Sequence, residues 1–221
     1  MRRTALLGIV LAALAALAAP AAARAVACGT PGYSYAGLGG MAVANGVAAT
    51  IRLNAAPKVG AGHVAAWVGL GGYGAGTNGA NAWIQAGIIT KAGSAPSLYY
   101  EVTRPGYKPE LVTLGPAQVG RDYRVVVREG LRPGWWSVEI DGRPSSPALS
   151  LPGSHRSWEG TATTESWDDN AGLCNRFDIG FESVAIRRAG SGWQQFGRAI
   201  ALEAPGYRLS ARTTSGFRAV S

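Results

Sequence analysis

The sequence has few charged residues, few cysteines and few histidines, and each shortage excludes a class of protein. Charged residues make up only 15% of the 221 positions, which indicates a globular domain with little surface charge. Two cysteines are too few for a disulfide-dense scaffold or a four-ligand structural zinc site. Two histidines, His63 and His155, leave little for a catalytic metal. We therefore expect neither a metal nor another cofactor.

A long helical stripe is also missing from the sequence. Glycine occupies 32 positions, about twice the usual share of roughly 7%, and it weakens helix interiors. Beyond Cys28 the chain consists of short β-favouring runs separated by glycine, proline, asparagine and aspartate. The predicted strands are Val47–Leu53, His63–Leu70, Ala82–Thr90, Leu98–Thr103, Asp122–Arg128, Trp136–Ile140, Ala148–Leu151, Thr161–Trp167, Phe177–Ile186 and Tyr207–Arg212. So many short strands without covering helices predict an all-β antiparallel sandwich or jelly roll of two packed sheets.

The N-terminus carries a long apolar run. Arg2 and Arg3 precede the apolar segment Thr4–Ala19, which is about as long as a signal-peptide core and is interrupted by Pro20. The segment Ala23-Arg24-Ala25 supplies the small-x-small pattern that signal peptidase needs. We expect residues 1–25 to be a secretory signal peptide and not a membrane span. Residues 26–221 are then one exported domain, with C-terminal edge strands from about residue 193.

The net charge of +8 depends partly on that N-terminal segment. Its removal takes three arginines and no acidic residue, which lowers the net charge to +5. Much of the remaining excess is a scatter of arginines near the C-terminus: Arg187, Arg188, Arg198, Arg208, Arg212 and Arg218. Scattered arginines favour a solvated basic edge, suited to an anionic extracellular polymer, over a surface that binds nucleic acid.

Export also gives the two cysteines a role. Cys28 and Cys174 would lie in an oxidising compartment, where a disulfide between them is the simplest expectation. Such a bridge would tie the N-terminus of the mature chain to a late strand. On the chain-entropy model, it would stabilise the fold by about 4 to 5 kcal/mol.

The segment Glu139-Ile140-Asp141 admits two interpretations. It resembles the paired acids of laminarinase-like glycosidases, which flank a glycosidic bond from one strand face. The third acid of that pattern is missing, however. Asp141-Gly142 is a strong signal for a two-residue hairpin turn, and we predict the turn.

Three predicted strands carry polar and aromatic side chains on one face. Because side chains alternate along a strand, residues two apart share a face. The sets are Trp83, Gln85 and Gly87; Tyr99 and Glu101; and Thr161, Thr163, Glu165 and Trp167. A concave face lined by such residues predicts a binding cleft. Among the tryptophans, Trp67 is expected in the core, and Trp83, Trp158 and Trp167 are expected in the cleft.

These tryptophans leave a non-catalytic function open. Secreted sandwich domains can bind sugar rings with flat aromatic faces and a few amides and carboxylates. The alternative to an enzyme is therefore a carbohydrate- or cell-wall-binding domain whose partner is an extracellular glycan.

Several short motifs follow one another in a specific order between Val64 and Ile186. They are Trp67-Val68-Gly69-Leu70, Trp83-Ile84-Gln85-Ala86-Gly87, Tyr99-Tyr100-Glu101 followed by Pro105, Val119-Gly120-Arg121-Asp122-Tyr123, Glu165, and Phe177–Ile186. This order resembles the glutamic peptidases, or eqolisins. The resemblance implies a secreted, acid-acting endopeptidase with a polypeptide substrate, built on a concanavalin A-like jelly-roll sandwich.

The resemblance also implies roles for particular residues. Gln85 matches the family's catalytic glutamine, and Glu165 matches its catalytic glutamate. Glu165 would activate a water molecule and then protonate the leaving amine, while the Gln85 amide would donate to the developing oxyanion. The residues expected to contact substrate are Trp83, Tyr99, Glu101 and Trp167.

The chain departs from the family pattern at two acidic positions and in the tryptophan-rich stretch before the catalytic glutamate, which is replaced here by Gly160-Thr161-Ala162-Thr163-Thr164. The family usually has an acidic residue in the loop after the first motif, where this chain has Gly71. A second acid shortly before the tyrosine-glutamate motif is also missing, with Ser97 nearby. The expected pair, Gln85 and Glu165, would therefore lack two supporting carboxyl groups.

Overall fold

The computed structural model describes residues 32–172, 174–188 and 190–221. These residues form sixteen strands and one short 3-10 helix, Thr77–Gly79. The strands are β1 (Tyr33–Gly39), β2 (Gly46–Leu53), β3 (His63–Gly72), β4 (Ala82–Lys91), β5 (Ser97–Thr103), β6 (Glu110–Pro116), β7 (Asp122–Glu129), β8 (Trp135–Ile140), β9 (Arg143–Pro144), β10 (Leu149–Ser150), β11 (Gly160–Trp167), β12 (Asp178–Arg188), β13 (Gly192–Gln195), β14 (Ile200–Glu203), β15 (Arg208–Ser210) and β16 (Phe217–Val220).

The strands build two sheets that pack against each other. The first sheet has the order β14-β1-β11-β3-β4-β5-β6. The second has the order β10-β8-β7-β2-β12-β16-β15, with β9 beside β8 and β13 beside β12. Each pair of neighbouring strands is antiparallel. The predicted all-β jelly-roll sandwich is therefore confirmed.

The main core lies between the two sheets. Burial alternates along β7, so Tyr123, Val125 and Val127 point inward while their neighbours reach the surface. Across the interface, Val68 and Ile84 of the first sheet belong to the same buried cluster. Each such side chain contributes about 1.5 to 3 kcal/mol when it leaves water.

The first sheet is also buried on part of its outer face. A second, smaller cluster there contains Ala65, Ile89 and Tyr99, with Trp67 and Leu111 packed against it. Strand β4 is accordingly buried on both faces along almost its whole length. This outer cluster forms the floor of the cleft described below.

Strands β1 and β6 are present although the sequence did not predict them. Strand β1 contains Gly37 and Gly39, which weaken the β signal. Gly37 lies so close to β11 that a Cβ on it would be 2.3 Å from the Thr163 Cβ. Strand β6 is an edge strand that ends at Gly115-Pro116, where a strand is hard to recognise from sequence.

The expected place of Trp158 in the cleft is wrong. Trp158 is only 2% exposed, and its ring stacks on Trp136 in the core at a centroid distance of 5.9 Å. Its Nε1 donates to the Ala75 carbonyl oxygen at 2.8 Å. Because Trp158 lies in the loop before β11, strand alternation gave no information about its direction.

The predicted hairpin turn at Asp141-Gly142 is confirmed. Both residues have positive φ angles, 51° and 73°, as a type I′ turn requires. Ile140 pairs with Arg143 across the turn. Asp141 therefore serves the turn, and its backbone is not part of an extended strand face.

Two expectations concern residues that the structure does not describe. The predicted signal peptide, residues 1–25, lies outside the described residues, as does Cys28. The disulfide between Cys28 and Cys174 therefore stays a prediction. Within the described ranges, no helix is both long enough and apolar enough to cross a membrane.

Candidate functional site

The outer face of the first sheet carries two cavities that share residues. The larger has a volume of about 310 Å³ and the smaller about 120 Å³. Tyr33, Gln85 and Glu165 line both. Gln85 of β4 and Glu165 of β11, which are far apart in sequence, therefore face one cleft.

Strand β3 lies between the strands that carry these two side chains. Ala65 pairs with Glu165, and Gly69 pairs with Gln85. A Cβ on Gly69 would lie 2.8 Å from the Gln85 Cβ, which is closer than real side chains approach. Small residues on β3 therefore leave room for both functional side chains.

Glu165 is buried against two hydrogen-bonding side chains. Only 7% of the residue is exposed. Its Oε1 lies 3.0 Å from His63 Nε2, and Tyr35, its partner in the β1–β11 pairing, also hydrogen-bonds to the carboxyl group. Burial, and next the charge on Glu165, raise the pKa of Tyr35 far above its usual 10.0. The Tyr35 phenol therefore stays protonated and donates to Glu165.

In the part of the chain that the structure describes, one buried phenol holds the Gln85 side chain. The Gln85 Nε2 donates to the Tyr99 hydroxyl at 3.3 Å. Tyr99 is fully buried, and burial followed by the charges on Glu165 and Glu101 raises its pKa well above 10.0. One amide hydrogen of Gln85 is thus anchored, and the second is available to a ligand in the cleft.

Glu101 lies beside Gln85 on the neighbouring strand β5. Its Oε1 accepts a hydrogen bond from Trp83 Nε1 at 2.8 Å. Burial raises the pKa of Glu101 above its usual 4.5, although the Trp83 hydrogen bond opposes the shift. The charge on Glu165 raises it further. Glu101 consequently keeps its proton to a higher pH than an exposed glutamate does.

Trp67 lines the smaller cavity, so its expected place in the core is wrong. Burial of Val64 and Val68 in the main core puts the odd-numbered residues of β3 on the cleft face. The Trp67 Nε1 is buried and has no hydrogen-bond partner in the described part of the chain. The alternation rule that placed Gln85 would also have found Trp67 had it been applied to β3.

Aromatic rings form the walls of the cleft. Trp167 stacks on Tyr33 at a centroid distance of 6.1 Å and an interplanar angle of 20°. The ring centroids of Trp83 and Tyr73, which both line the smaller cavity, are 5.7 Å apart. The six predicted site residues all line one or both cavities: Trp83, Gln85, Tyr99, Glu101, Glu165 and Trp167.

Several residues of the cleft were not predicted from the sequence, among them Tyr33, Tyr35 and His63. Tyr33 and Tyr35 lie on β1, which was not recognised as a strand. His63 opens β3 and shares the cleft face with Trp67, so alternation would have placed it. Within the described ranges, no group of three or more histidine, cysteine, aspartate or glutamate side chains is arranged to hold a metal ion.

Comparison of the sequence with protein-family models and with curated proteins finds no match. Comparison of the fold with solved structures does find matches. A scytalido-glutamic peptidase with a peptide-based transition-state analogue gives a TM-score of 0.62 at 15% identity. The match covers 87% of this chain and 100% of that chain.

A second peptidase structure agrees with the first. SCP-B, a member of the eqolisin family in complex with the tripeptide Ala-Ile-His, gives a TM-score of 0.59 at 14% identity. The coverage is again 87% of this chain and 100% of that chain. The chain therefore has the fold of the eqolisin peptidases, as the order of its sequence motifs predicted.

Proposed function

We propose that this chain is an exported peptide hydrolase of the glutamic type, in which Glu165 and Gln85 act on the peptide bond. The observation that carries the proposal is that both side chains line the same two cavities. A cavity on each side of the pair suits a peptide with one side chain on each side of the bond to be cleaved. The eqolisin fold supports the same assignment.

The chemistry needs only these two side chains and water. The Glu165 carboxylate takes a proton from a water molecule while the water oxygen bonds to the carbonyl carbon. The carbonyl electron pair moves onto oxygen, where the unanchored N–H of Gln85 donates to it. When the carbon–nitrogen bond breaks, Glu165 returns its proton to the leaving nitrogen.

The surroundings of the pair favour this chemistry. Glu165 and Gln85 are 7% and 8% exposed, so little bulk water weakens their hydrogen bonds to the reacting atoms. Tyr99 fixes the Gln85 amide, which therefore needs little rearrangement as charge develops. The unpartnered Nε1 of Trp67 is a further donor in the smaller cavity for a peptide carbonyl group.

The walls of the cleft favour glycan binding as the second candidate. Tyr33 and Tyr73 are 44% and 74% exposed, and each ring lies beside a tryptophan of the cleft. Such rings can stack on sugars. A glycan-binding domain would use these rings and would not need the Gln85–Glu165 pair as a reacting unit.

Peptide cleavage assays from pH 2 to 8 test the peptidase. We expect the purified protein to cleave casein or a fluorogenic peptide. Glu165→Gln should lower kcat by about 10²- to 10⁴-fold, and Gln85→Ala by about 10²- to 10³-fold. The matched controls Glu182→Gln and Gln194→Ala alter exposed residues of the second sheet and should keep the parent rate.

The same preparations separate the two candidates. A parent protein without cleavage activity, or full activity in both cleft variants, would contradict the peptidase. Retention on an insoluble polysaccharide that is lost in Tyr73→Ala and kept in Glu165→Gln would support the glycan-binding domain instead.

A further inference from the structure

A histidine contacts the Glu165 carboxyl group inside the cleft. His63 Nε2 lies 3.0 Å from Glu165 Oε1. The two side chains are only 16% and 9% exposed, so little water competes for the contact. Both line the larger cavity. The pair is therefore part of the candidate site and not a surface ion pair.

Aromatic neighbours fix the plane of the imidazole. Its centroid lies 5.5 Å from Trp167 and 6.2 Å from Tyr33, and these two rings stack on each other. Trp167 is also the partner of His63 in the β3–β11 pairing. A ring held in this way has little freedom to turn. The hydrogen bond to Glu165 therefore has a fixed direction.

Other titratable groups also face Glu165 inside the cleft. They are Tyr33 and Tyr35 from β1, and Tyr99 and Glu101 from β5. Burial raises the pKa of each of the three tyrosines above 10.0, so they are neutral. Lys91 is a further titratable residue that lines the larger cavity.

We propose that His63 is a positioning residue for the reaction at Glu165. Its Nε2–H donates to Oε1 and holds the carboxyl group at the angle from which it takes a proton from water. This inference rests on the proposed function. A misplacement of about 1 Å at a reacting group can lower a rate on the order of 100-fold. Loss of the contact should therefore lower kcat while KM changes little.

Two substitutions separate positioning from packing. His63→Gln keeps an amide N–H near the place of Nε2 but removes the ring, whereas His63→Phe keeps a ring between Tyr33 and Trp167 but removes the donor. We expect His63→Phe to lower kcat by about 10- to 100-fold with KM within about twofold, and His63→Gln to keep most of the rate. A purely structural role for the ring predicts the reverse order.

NMR tests the contact without reference to activity. The chain has only two histidines, so the imidazole nitrogens are readily assigned. We expect the His63 Nε2 chemical shift to change in Glu165→Ala and to stay the same in Glu129→Ala, which alters the other histidine's partner. An unchanged His63 shift in Glu165→Ala overturns the proposal.

The two experiments together distinguish the possible failures. If the parent cleaves peptides and His63→Phe keeps its kcat, the positioning role is overturned and the proposed function stands. If the parent cleaves no peptide, the proposed function fails and the positioning role fails with it. The NMR result then describes a structural contact alone.

Discussion

Both histidines of the chain pair with a buried glutamate, but the two carboxyl groups have different surroundings. In the cleft, His63 Nε2 lies 3.0 Å from Glu165, and elsewhere His155 Nδ1 lies 2.9 Å from both oxygens of Glu129. Glu129 also accepts the backbone N–H of Gly134, so it holds a loop in place. Glu165 instead lines two cavities. The same residue types therefore support a loop in one place and a candidate reaction in the other, because Glu129 is bonded to the loop that it holds and Glu165 faces two cavities.

The largest expected stability effect comes from the loop pair. Glu129→Ala leaves the Gly134 N–H and the His155 ring without their acceptor. A buried group that loses its partner costs about 1 to 3 kcal/mol, and we expect this loss in the free energy of unfolding measured with urea. Because Glu129 serves the loop and not the cleft, kcat should stay near that of the parent.

Glu129→Gln provides the matched control for that change. It keeps an oxygen that can accept from Gly134, so its loss of stability should be smaller than that of Glu129→Ala. A fall in kcat for Glu129→Ala comparable with that for Glu165→Gln, measured well below the unfolding temperature, would remove the distinction between the two pairs.

Glu101, the second carboxyl group of the cleft, should make the stability of the protein depend on pH. Burial raises the pKa of Glu101 above 4.5, so the folded state binds this proton more tightly than the unfolded state does. The stability associated with that proton is present below pH 4.5 and is lost as the pH rises through the raised pKa. Glu101→Gln has no proton to lose and can still accept from Trp83.

We therefore expect Glu101→Gln to be more stable than the parent near pH 7 and equally stable near pH 3. Urea unfolding at the two pH values measures the difference. A variant that is less stable than the parent near pH 7 would show that the charged carboxylate, together with Trp83, stabilises the cleft.

Local alternation explains how much of this molecule could be predicted. It placed Gln85 and Glu165 on one face because their strands were recognisable by their β-favouring residues. It did not place Tyr35, because Gly37 and Gly39 weaken the β pattern of β1 and the segment was not recognised as a strand. Trp158 was misplaced for a different reason: it lies outside a strand, where the alternation of side chains does not predict which residues are buried.

The contact between His63 and Glu165 could not be predicted in the same way. These residues are 102 positions apart, and their distance depends on the register between β3 and β11. That register follows from the packing of both sheets and from close approaches such as that of Gly62, just before β3, to the backbone of Trp167 in β11. The sequence of one strand predicts which of its side chains share a face, but it does not predict which residues of the neighbouring strand lie opposite them.

The smallest expected effect lies outside the cleft and has the opposite pH dependence from Glu101. Asp178 of β12 accepts hydrogen bonds from Arg218 and Asn54. The Arg218 hydrogen bond, more than any other contact, holds the pKa of Asp178 below its usual 3.8. The stability that ionised Asp178 contributes to the folded state is therefore present above pH 3.8 and is lost as the pH falls through the lowered pKa. Asp178→Asn should be slightly less stable than the parent near pH 7, and the difference should disappear in strong acid and shrink in 1 M salt, because half-exposed charges are screened. Urea unfolding of the parent, Asp178→Asn and Glu101→Gln across this pH range tests whether carboxyl groups inside and outside the cleft change stability with pH in opposite directions. A stability difference between the parent and Asp178→Asn that grows on acidification would contradict this expectation.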